Sequence, residues 1–395
     1  MTMILKAILS NKAHPEYGQA TVPLPIPDSE YDHTIGLLED MGIGSPTAQD
    51  CQADKLDSPY PILNRLAAQN ANVDELDYLA KRLGNFSVGE AEKFQAMASR
   101  LCLSGIKDFI NLTFSCQQAT VISDFSDLER VGKDHALTIN GGMVPTSEFN
   151  RVDGQAAALD LIQSGAGIVT PYGVVYDNGM KLEQVYGGRH FPEYFYEDCV
   201  ASVTLSRPGQ DGRETLYLPC PDIKIARALQ RLDVKDVSQC TAVLDTDDIC
   251  DAVRKVFEEE FKLNEHLDAL NRLARCYRGF KDDELEKFHT VFDHAWPQTP
   301  EEAAYLAEGL QEFTVINGIS TAEEYGQIIA DRMEVSPELA EFLDLQRLGQ
   351  RQIDEEGGEF GDRGYVAYKG TQPEIKEILG RHIPPTQEPQ IGGMA

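Results

Sequence analysis

His289 and His294 are the closest pair of histidines in the chain, and Asp293 stands beside the second. Two imidazoles and a carboxylate are a ligand set that zinc accepts. A spacing of five, however, does not put both rings on one face of a helix with about 3.6 residues per turn. The spacing therefore predicts surface histidines on either side of a helix end, and no metal or cofactor is expected. The chain also lacks a phosphate-cradling G-x-x-x-x-G-K-[ST], a G-x-G-x-x-G after a strand, an H-E-x-x-H and a G-x-S-x-G. Without a catalytic constellation, the expectation is a protein that binds and is not an enzyme.

What the chain has in excess is carboxylate. Asp plus Glu number 65 against 35 Lys plus Arg, a formal net charge of −30. Direct binding to nucleic acid or to an anionic membrane needs basic surface, so both are disfavoured. A partner that is itself basic suits this charge. The imbalance is greatest between residues 301 and 360, where 15 acids face only Arg332, Arg347 and Arg351. The acids are Glu301, Glu302, Glu308, Glu312, Glu323, Glu324, Asp331, Glu334, Glu338, Glu341, Asp344, Asp354, Glu355, Glu356 and Glu359. Glu323, Glu324 and Glu338 have a structural use as acids near helix N-termini, and a solvated helix face accounts for others. Neither reason explains the scarcity of bases. Like charges three or four apart on a helix repel, so ordinary surface helices mix signs.

Carboxylates one helical turn apart lie about 5–6 Å from one another. Duplex DNA carries one negative charge per roughly 1.7 Å of axis, over two strands. Two acidic rows on neighbouring elements would imitate the phosphate rows of a duplex. A basic DNA channel would bind them without reading bases.

The elements that must position these acids recur along the chain. LNRLA stands at 63–67 and again at 270–274. TVPLPIPD at 21–28 is echoed by TLYLPCPD at 215–222, Asp74-Glu75-Leu76 by Asp283-Glu284-Leu285, and Ser87-x-x-Glu90 by Thr299-x-x-Glu302. The order is kept while the offset grows from 194 to 212, which predicts a degenerate tandem duplication and not a short-period solenoid. Each copy opens with a strand pair and a helix. Residues 43–60 read as irregular, 60–83 as helical, and Ser87 with Glu90 as a capping box for a helix to Leu101. The stretch 133–142 reads as a strand ending at Gly141-Gly142. Strands over 168–176 and 180–186 flank Asp177-Asn178-Gly179, a hairpin turn signal. The second copy adds a helix over 247–261. Thr299 caps a helix with Pro300 at its first position, Ser320 and Glu323 form another capping box, and Ser336-Pro337 opens a helix through Leu348. A hairpin is expected over 358–370. The expected domains are a first copy at 1–140, a connecting module at 141–195, a second copy at 196–380 and a disordered tail at 381–395.

Eight cysteines are scattered without a C-x-x-C, so neither a zinc site nor a disulfide framework is indicated. No apolar run approaches a membrane span or a signal peptide, and a cytoplasmic location is expected.

The second copy resembles the ArdA antirestriction family of plasmids and conjugative elements. The resemblance lies in the opening strand pair, the L-N-R-L start at 270–273, the acidic helices and the closing run VSPELAEFLDLQRLGQRQIDEEGGEFGDRGYVAYKG at 335–370. It covers about 195–370, and 1–120 in weaker form without the closing run. It implies an α+β fold, an elongated multi-domain chain of small α/β subdomains with little regular sheet. It implies an acidic DNA mimic that occupies the DNA-binding groove of Type I restriction-modification enzymes, contacting methyltransferase and specificity subunits, and that catalyses nothing. Family members work as dimers, so a homodimer or a single-chain pseudo-dimer is expected. The rival reading from charge alone is an acidic adaptor or regulator for another basic DNA-binding protein.

Overall fold

The computed structural model describes residues 3–141, 143–177, 181–193, 199–245, 254, 265–335 and 342–381. The fold is mixed, with helices packed on several small sheets of three or four strands. Among the described residues no helix is long and apolar enough to cross a membrane. Contacts divide the chain into two units: residues 1–197, 206–215 and 221–236, and residues 198–205, 216–220 and 237–395.

The first unit opens with β1 (Leu5–Ser10) antiparallel to β2 (Gln19–Leu24). Leu5, Ala7 and Leu9 alternate inward and meet Ala20, Val22 and Leu24, the period-two pattern of a half-buried strand. Helix α1 (Asp28–Asp40) follows. β3 (Cys51–Asp57) pairs with the other side of β1, where the sequence reads as irregular. Its alternation is broken by a register shift opposite Ile8 and Leu9, so Cys51, Ala53 and Leu56 face inward without a regular pattern. After the short β4 (Asn70–Ala71), the Asn72 side chain accepts from the backbone N–H of Asp74 and Glu75 and starts α2 (Val73–Gly84). The expected Ser87–Glu90 capping box opens α3 (Val88–Arg100). Helix α4 (Ile106–Leu112) completes a core around Leu76, Leu79, Phe94 and Phe109.

The remainder of this unit departs from the sequence reading. β5 (Ala119–Ile122) leads to α5 (Leu128–Ile139), a helix where a strand was expected. Asp127 caps it by accepting from the Arg130 N–H, and Val131 and Thr138 bury one helical face. After α6 (Thr146–Phe149) comes α7 (Gly154–Gln163), then β6 (Ile168–Thr170) and β7 (Gly173–Asp177). The hairpin turns at Pro171-Tyr172, ahead of the Asp177-Asn178-Gly179 signal, whose last two residues fall outside the described ones. Gly173 has φ +132°, and a Cβ there would lie 2.8 Å from the Ile122 carbonyl oxygen. Only glycine fits so close to β5.

The boundary expected at 140 thus runs through one structure. β7 pairs with β5, and α5 packs on α7 so closely that a Cβ on Gly132 would overlap the Gly154 carbonyl. The segment after 140 completes a sheet and helix pair begun at 119.

The expected boundary at 196 also fails to follow the contacts. Helix α8 (Asp222–Arg231) belongs to the first unit, where charge fixes it. Arg227 Nε donates to Asp74 Oδ1 at 3.0 Å, Arg231 Nη1 to Asp74 Oδ2 at 2.7 Å, and Arg231 Nε to Glu214 Oε2 at 2.8 Å. Tyr31 also donates to Asp74, and Arg227 Nη1 to the Gly44 carbonyl at 2.8 Å. These four ions are 2–9% exposed, so each must be paired.

β8 (Ala201–Ser206), β9 (Arg213–Leu218) and β10 (Thr241–Asp245) form a sheet in the order β10-β8-β9, of which residues 201–205, 216–218 and 241–245 fall in the second unit. Of the helix expected over 247–261 only Arg254 is among the described residues, and 382–395 of the tail lie outside them. Helices α9 (Leu267–Gly279), α10 (Asp282–Ala295) and α11 (Pro300–Glu308) bury Leu270, Leu273, Phe288 and Leu306. β11 (Phe313–Asn317), α12 (Ala322–Arg332), α13 (Leu345–Glu356), β12 (Glu359–Gly361) and β13 (Gly364–Tyr368) follow, and α14 (Pro373–Gly380) ends the described chain. The sheet order is β11-β13-β12, and its β12–β13 pair is the terminal hairpin expected from the sequence.

Local features recur at a constant spacing of 194. Asp77 accepts from the Ile26 N–H, and Asn271 from the Cys220 N–H. Glu90 and Glu284 each accept from the N–H three residues before them, and Phe94 and Phe288 are both fully buried. The two LNRLA motifs do not correspond at this spacing. Residues 270–274 lie in α9, and residues 76–80, 194 positions earlier, lie in α2. Residues 61–66 form a 3-10 turn that ends at an extended Ala67 and a left-handed Ala68.

Two glycines set the distance between α12 and α13. A Cβ on Gly326 would overlap the Leu345 carbonyl, and one on Gly349 the Ala322 carbonyl. The helices run antiparallel, backbone against backbone. Gly326→Ala is expected to force them apart and destabilise the second unit by about 1–3 kcal/mol. Unchanged urea unfolding would contradict this packing.

Candidate functional site

The acids of 301–360 divide by what they touch. Of the 13 that are described, ten are exposed, and Glu301, Glu302 and Glu356 are half-buried. Glu338 and Glu341 lie outside the described residues.

Around α11 the acids are tied into the fold. Glu301 bonds His266 at 2.7 Å, and Glu302 receives the Arg381 guanidinium at 2.7 Å and the Gln298 N–H. Glu308 takes Arg272 through both oxygens, at 2.8 and 3.2 Å. Glu312 accepts from the Tyr368 hydroxyl at 2.8 Å. Three of these four carboxylates have a cation or a histidine on them. These carboxylates are therefore engaged within the fold, although the sequence counts them with the acids that would mimic phosphate rows.

The pair α12 and α13 is different. The capping box of α12 is formed by Thr321 and Glu324, one residue on from the expected pair, because Thr321 is the residue with extended backbone. The N–H groups of Ser320 and Thr321 hold the exposed Glu324 carboxyl below its ordinary value. Asp344 caps α13 by accepting from the Arg347 N–H at 3.0 Å. Asp331 accepts from Gln327 at 2.8 Å and Asp354 from Gln350 at 2.9 Å, each one turn earlier on its helix. A glutamine in that place orients a carboxylate and leaves its charge intact, where a lysine would neutralise it. Sequence reading missed these glutamines, although Q-x-x-x-D was legible in both helices. Glu323, Glu334 and Glu359 are exposed. Glu355 has Arg351 at 2.9 Å, a pair that is exposed on both sides and weak.

Glu356 is the exception on α13. Its side chain is 7% exposed and receives the Tyr325 and Tyr365 hydroxyls, both at 2.9 Å, with Gln352 and Lys369. Burial pushes its carboxyl up, but these donors together outweigh burial and hold it below the ordinary 4.5. The folded value is depressed, so the stability this carboxylate contributes is complete above pH 4.5 and is lost as pH falls through the folded value. Glu356→Gln is expected to lower stability at neutral pH and to lose less on acidification than the parent. Parallel urea curves for the two proteins down through pH 4.5 would contradict this role. Glu356 thus holds the module together and is not an outward charge.

A cleft of about 620 Å³ in the first unit is the place to look for acid–base chemistry, lined by Glu90, Glu92, Asp124 and Asp134 with Lys93, Arg130 and Lys133. Lys93 pairs with Asp134 at 2.9 Å and Lys133 with Glu129 at 2.8 Å. The Ser126 N–H holds Asp124 low, and the Lys133 ammonium holds Glu129 low. A general acid working near neutrality needs a raised value, and Asp124 and Glu129 are held in the opposite direction. His289 bonds the Tyr277 hydroxyl at 3.1 Å. Among the described residues no group of three or more His, Cys, Asp or Glu is placed to hold a metal ion.

Comparison with protein-family models and with curated proteins finds no match to this chain.

Proposed function

We propose that this chain is an ArdA-like antirestriction protein, an acidic DNA mimic that occupies the DNA-binding groove of a Type I restriction-modification enzyme. The observation that carries this reading is the outward face of α12 and α13. Glu323, Asp331, Glu334, Asp344 and Asp354 are exposed on or beside these helices and Glu359 on β12, and the partners of Asp331 and Asp354 are neutral glutamines. Exposed acids outnumber the exposed Arg332, Arg347 and Arg351 on these elements, and a surface with that excess suits a basic partner. The features recurring 194 positions apart support two copies of one unit, the first extending to Asp177.

As a stoichiometric inhibitor, the protein is expected to abolish cleavage by a Type I enzyme at about one binding unit per enzyme and to leave free DNA unbound. Inhibition that turns over substoichiometrically, or retention on duplex DNA, would overturn the reading. Binding to an unrelated basic DNA-binding protein, with no effect on restriction, would favour the adaptor reading.

A further inference from the structure

Residues 181–193 belong to no helix or strand of the first unit. Among the described residues, no backbone group of this segment bonds another backbone group. Side chains hold it instead. The fully buried Asn111 of α4 grips Tyr186 by its main chain: Nδ2 donates to the Tyr186 carbonyl at 3.1 Å, and Oδ1 accepts from the Tyr186 N–H at 2.7 Å. Asn271 grips Cys220 in the same way in the second unit. Such a fork gives an extended segment the two bonds that a neighbouring strand would supply. The Tyr186 ring is buried, and its hydroxyl donates to Glu75 of α2 at 3.0 Å. Five residues on, Phe191 stacks on both Tyr186 and Tyr78, with ring centres 5.2 and 4.9 Å away. The Tyr78 hydroxyl donates to the Pro192 carbonyl at 2.8 Å. Main-chain bonds with side-chain anchors are how a groove holds an extended peptide.

The same segment grips α8. Arg189 donates to the last carbonyls of that helix, Nε to Arg231 at 2.6 Å and Nη2 to Gln230 at 3.4 Å, which puts a cation at the negative end of the helix dipole. His190 shares the Glu214 carboxylate with Arg231. The Arg231 guanidinium also lies 5.1 Å from the centre of the Phe191 ring. Three consecutive residues, 189 to 191, thus touch α8, while Tyr186, Phe191 and Pro192 are held from α2 and α4.

We infer that residues 186–192 are a clasp: an intramolecular peptide ligand of α2 and α4 whose opening and closing carries α8 with it. A segment pinned by side chains, with no backbone ladder, opens at lower cost than the strands and helices around it. Because α8 is bonded to that segment at its C-terminal end, the two form one cooperative unit. The device belongs to the first unit. At the positions 194 beyond Glu75, Tyr78 and Asn111 stand Ala269, Arg272 and Tyr305, and none of these is a carboxylate or an amide. Arg272 is engaged by Glu308 instead.

The test is native-state hydrogen exchange on the full-length protein. In the parent, the Tyr186 amide and the amides of α8 are expected to exchange through one common opening, faster than those of α2. Asn111→Ala removes the fork and is expected to speed both by about 5- to 150-fold, the effect of a lost buried hydrogen bond, with β1 and β2 at the parental rate. Arg189→Ala changes only an exposed side chain, so it keeps the test open should Asn111→Ala fail to fold. It is expected to speed the Tyr186 amide and α8 together, by about three- to tenfold. If either variant speeds one of the two and leaves the other at its parental rate, the clasp and α8 are independent and the inference is overturned. It is equally overturned if α8 in the parent is as protected as α2, or if Arg189→Ala speeds every element alike.

Discussion

Asp74→Ala is expected to destabilise the first unit by about 3–5 kcal/mol, the cost of stripping the counter-ion from a buried charge. Asp74 is 7% exposed and is shared by two guanidiniums, Arg227 at 2% and Arg231 at 9% exposure. Glu214 still holds Arg231 after the change, but among the described residues Arg227 keeps only the Gly44 carbonyl. A guanidinium cannot shed its proton to escape the cost. The unit then either admits water or releases α8. Replacing Asp74, Arg227 and Arg231 together by apolar residues of similar volume is expected to cost far less than the single change, since removing a whole buried network is often neutral. The pair of experiments separates the penalty of an orphaned charge from the net value of the cluster. A loss below about 1 kcal/mol for Asp74→Ala would place it among ordinary exposed ion pairs and contradict the burial on which the argument rests.

The second large effect falls on binding. Replacing Glu323 and Glu334 with Gln, and Asp331 and Asp354 with Asn, removes four outward charges from α12 and α13 and spares the helix cap Asp344 and the buried Glu356. Stability should hold or rise slightly, because like-charge pairs on a helix cost a few tenths of a kcal/mol each. Association with a basic partner should slow by about 10- to 1000-fold at low salt, the range over which charge steers encounter. The effect comes from the summed field, so single neutralisations should each be close to silent. A fourfold variant that inhibits as well as the parent at physiological salt would show that these acids serve solubility and that the site lies elsewhere.

Much of this surface was legible in the sequence, because charge and capping are local. The run of acids, the Ser87–Glu90 box and the closing hairpin at 359–368 depend on residues close in the chain, and the structure has them. What sequence could not separate was outward charge from structural charge. Glu302, Glu308 and Glu356 look like their neighbours in the sequence and differ only in meeting Arg381, Arg272 and two tyrosines from distant segments. Helix α5 was hidden because KDHALTI suits either period, and the tertiary packing of Gly132 on Gly154 decided it. The extent of the first module was hidden because β5 and β7 pair across about fifty residues. Identical letters took different structures: LNRLA at 63–67 follows Pro61 and stops in a turn, whereas 270–274 lies inside a helix.

The most direct test of DNA mimicry is competition. A labelled duplex bound to a Type I methyltransferase is titrated with the unlabelled protein at increasing salt. A mimic displaces the duplex fully, and its log affinity falls linearly with log salt, as for a ligand whose anionic groups engage the enzyme's bases. Formation of a ternary complex with the duplex still bound, or an affinity that does not change with salt, would contradict the account.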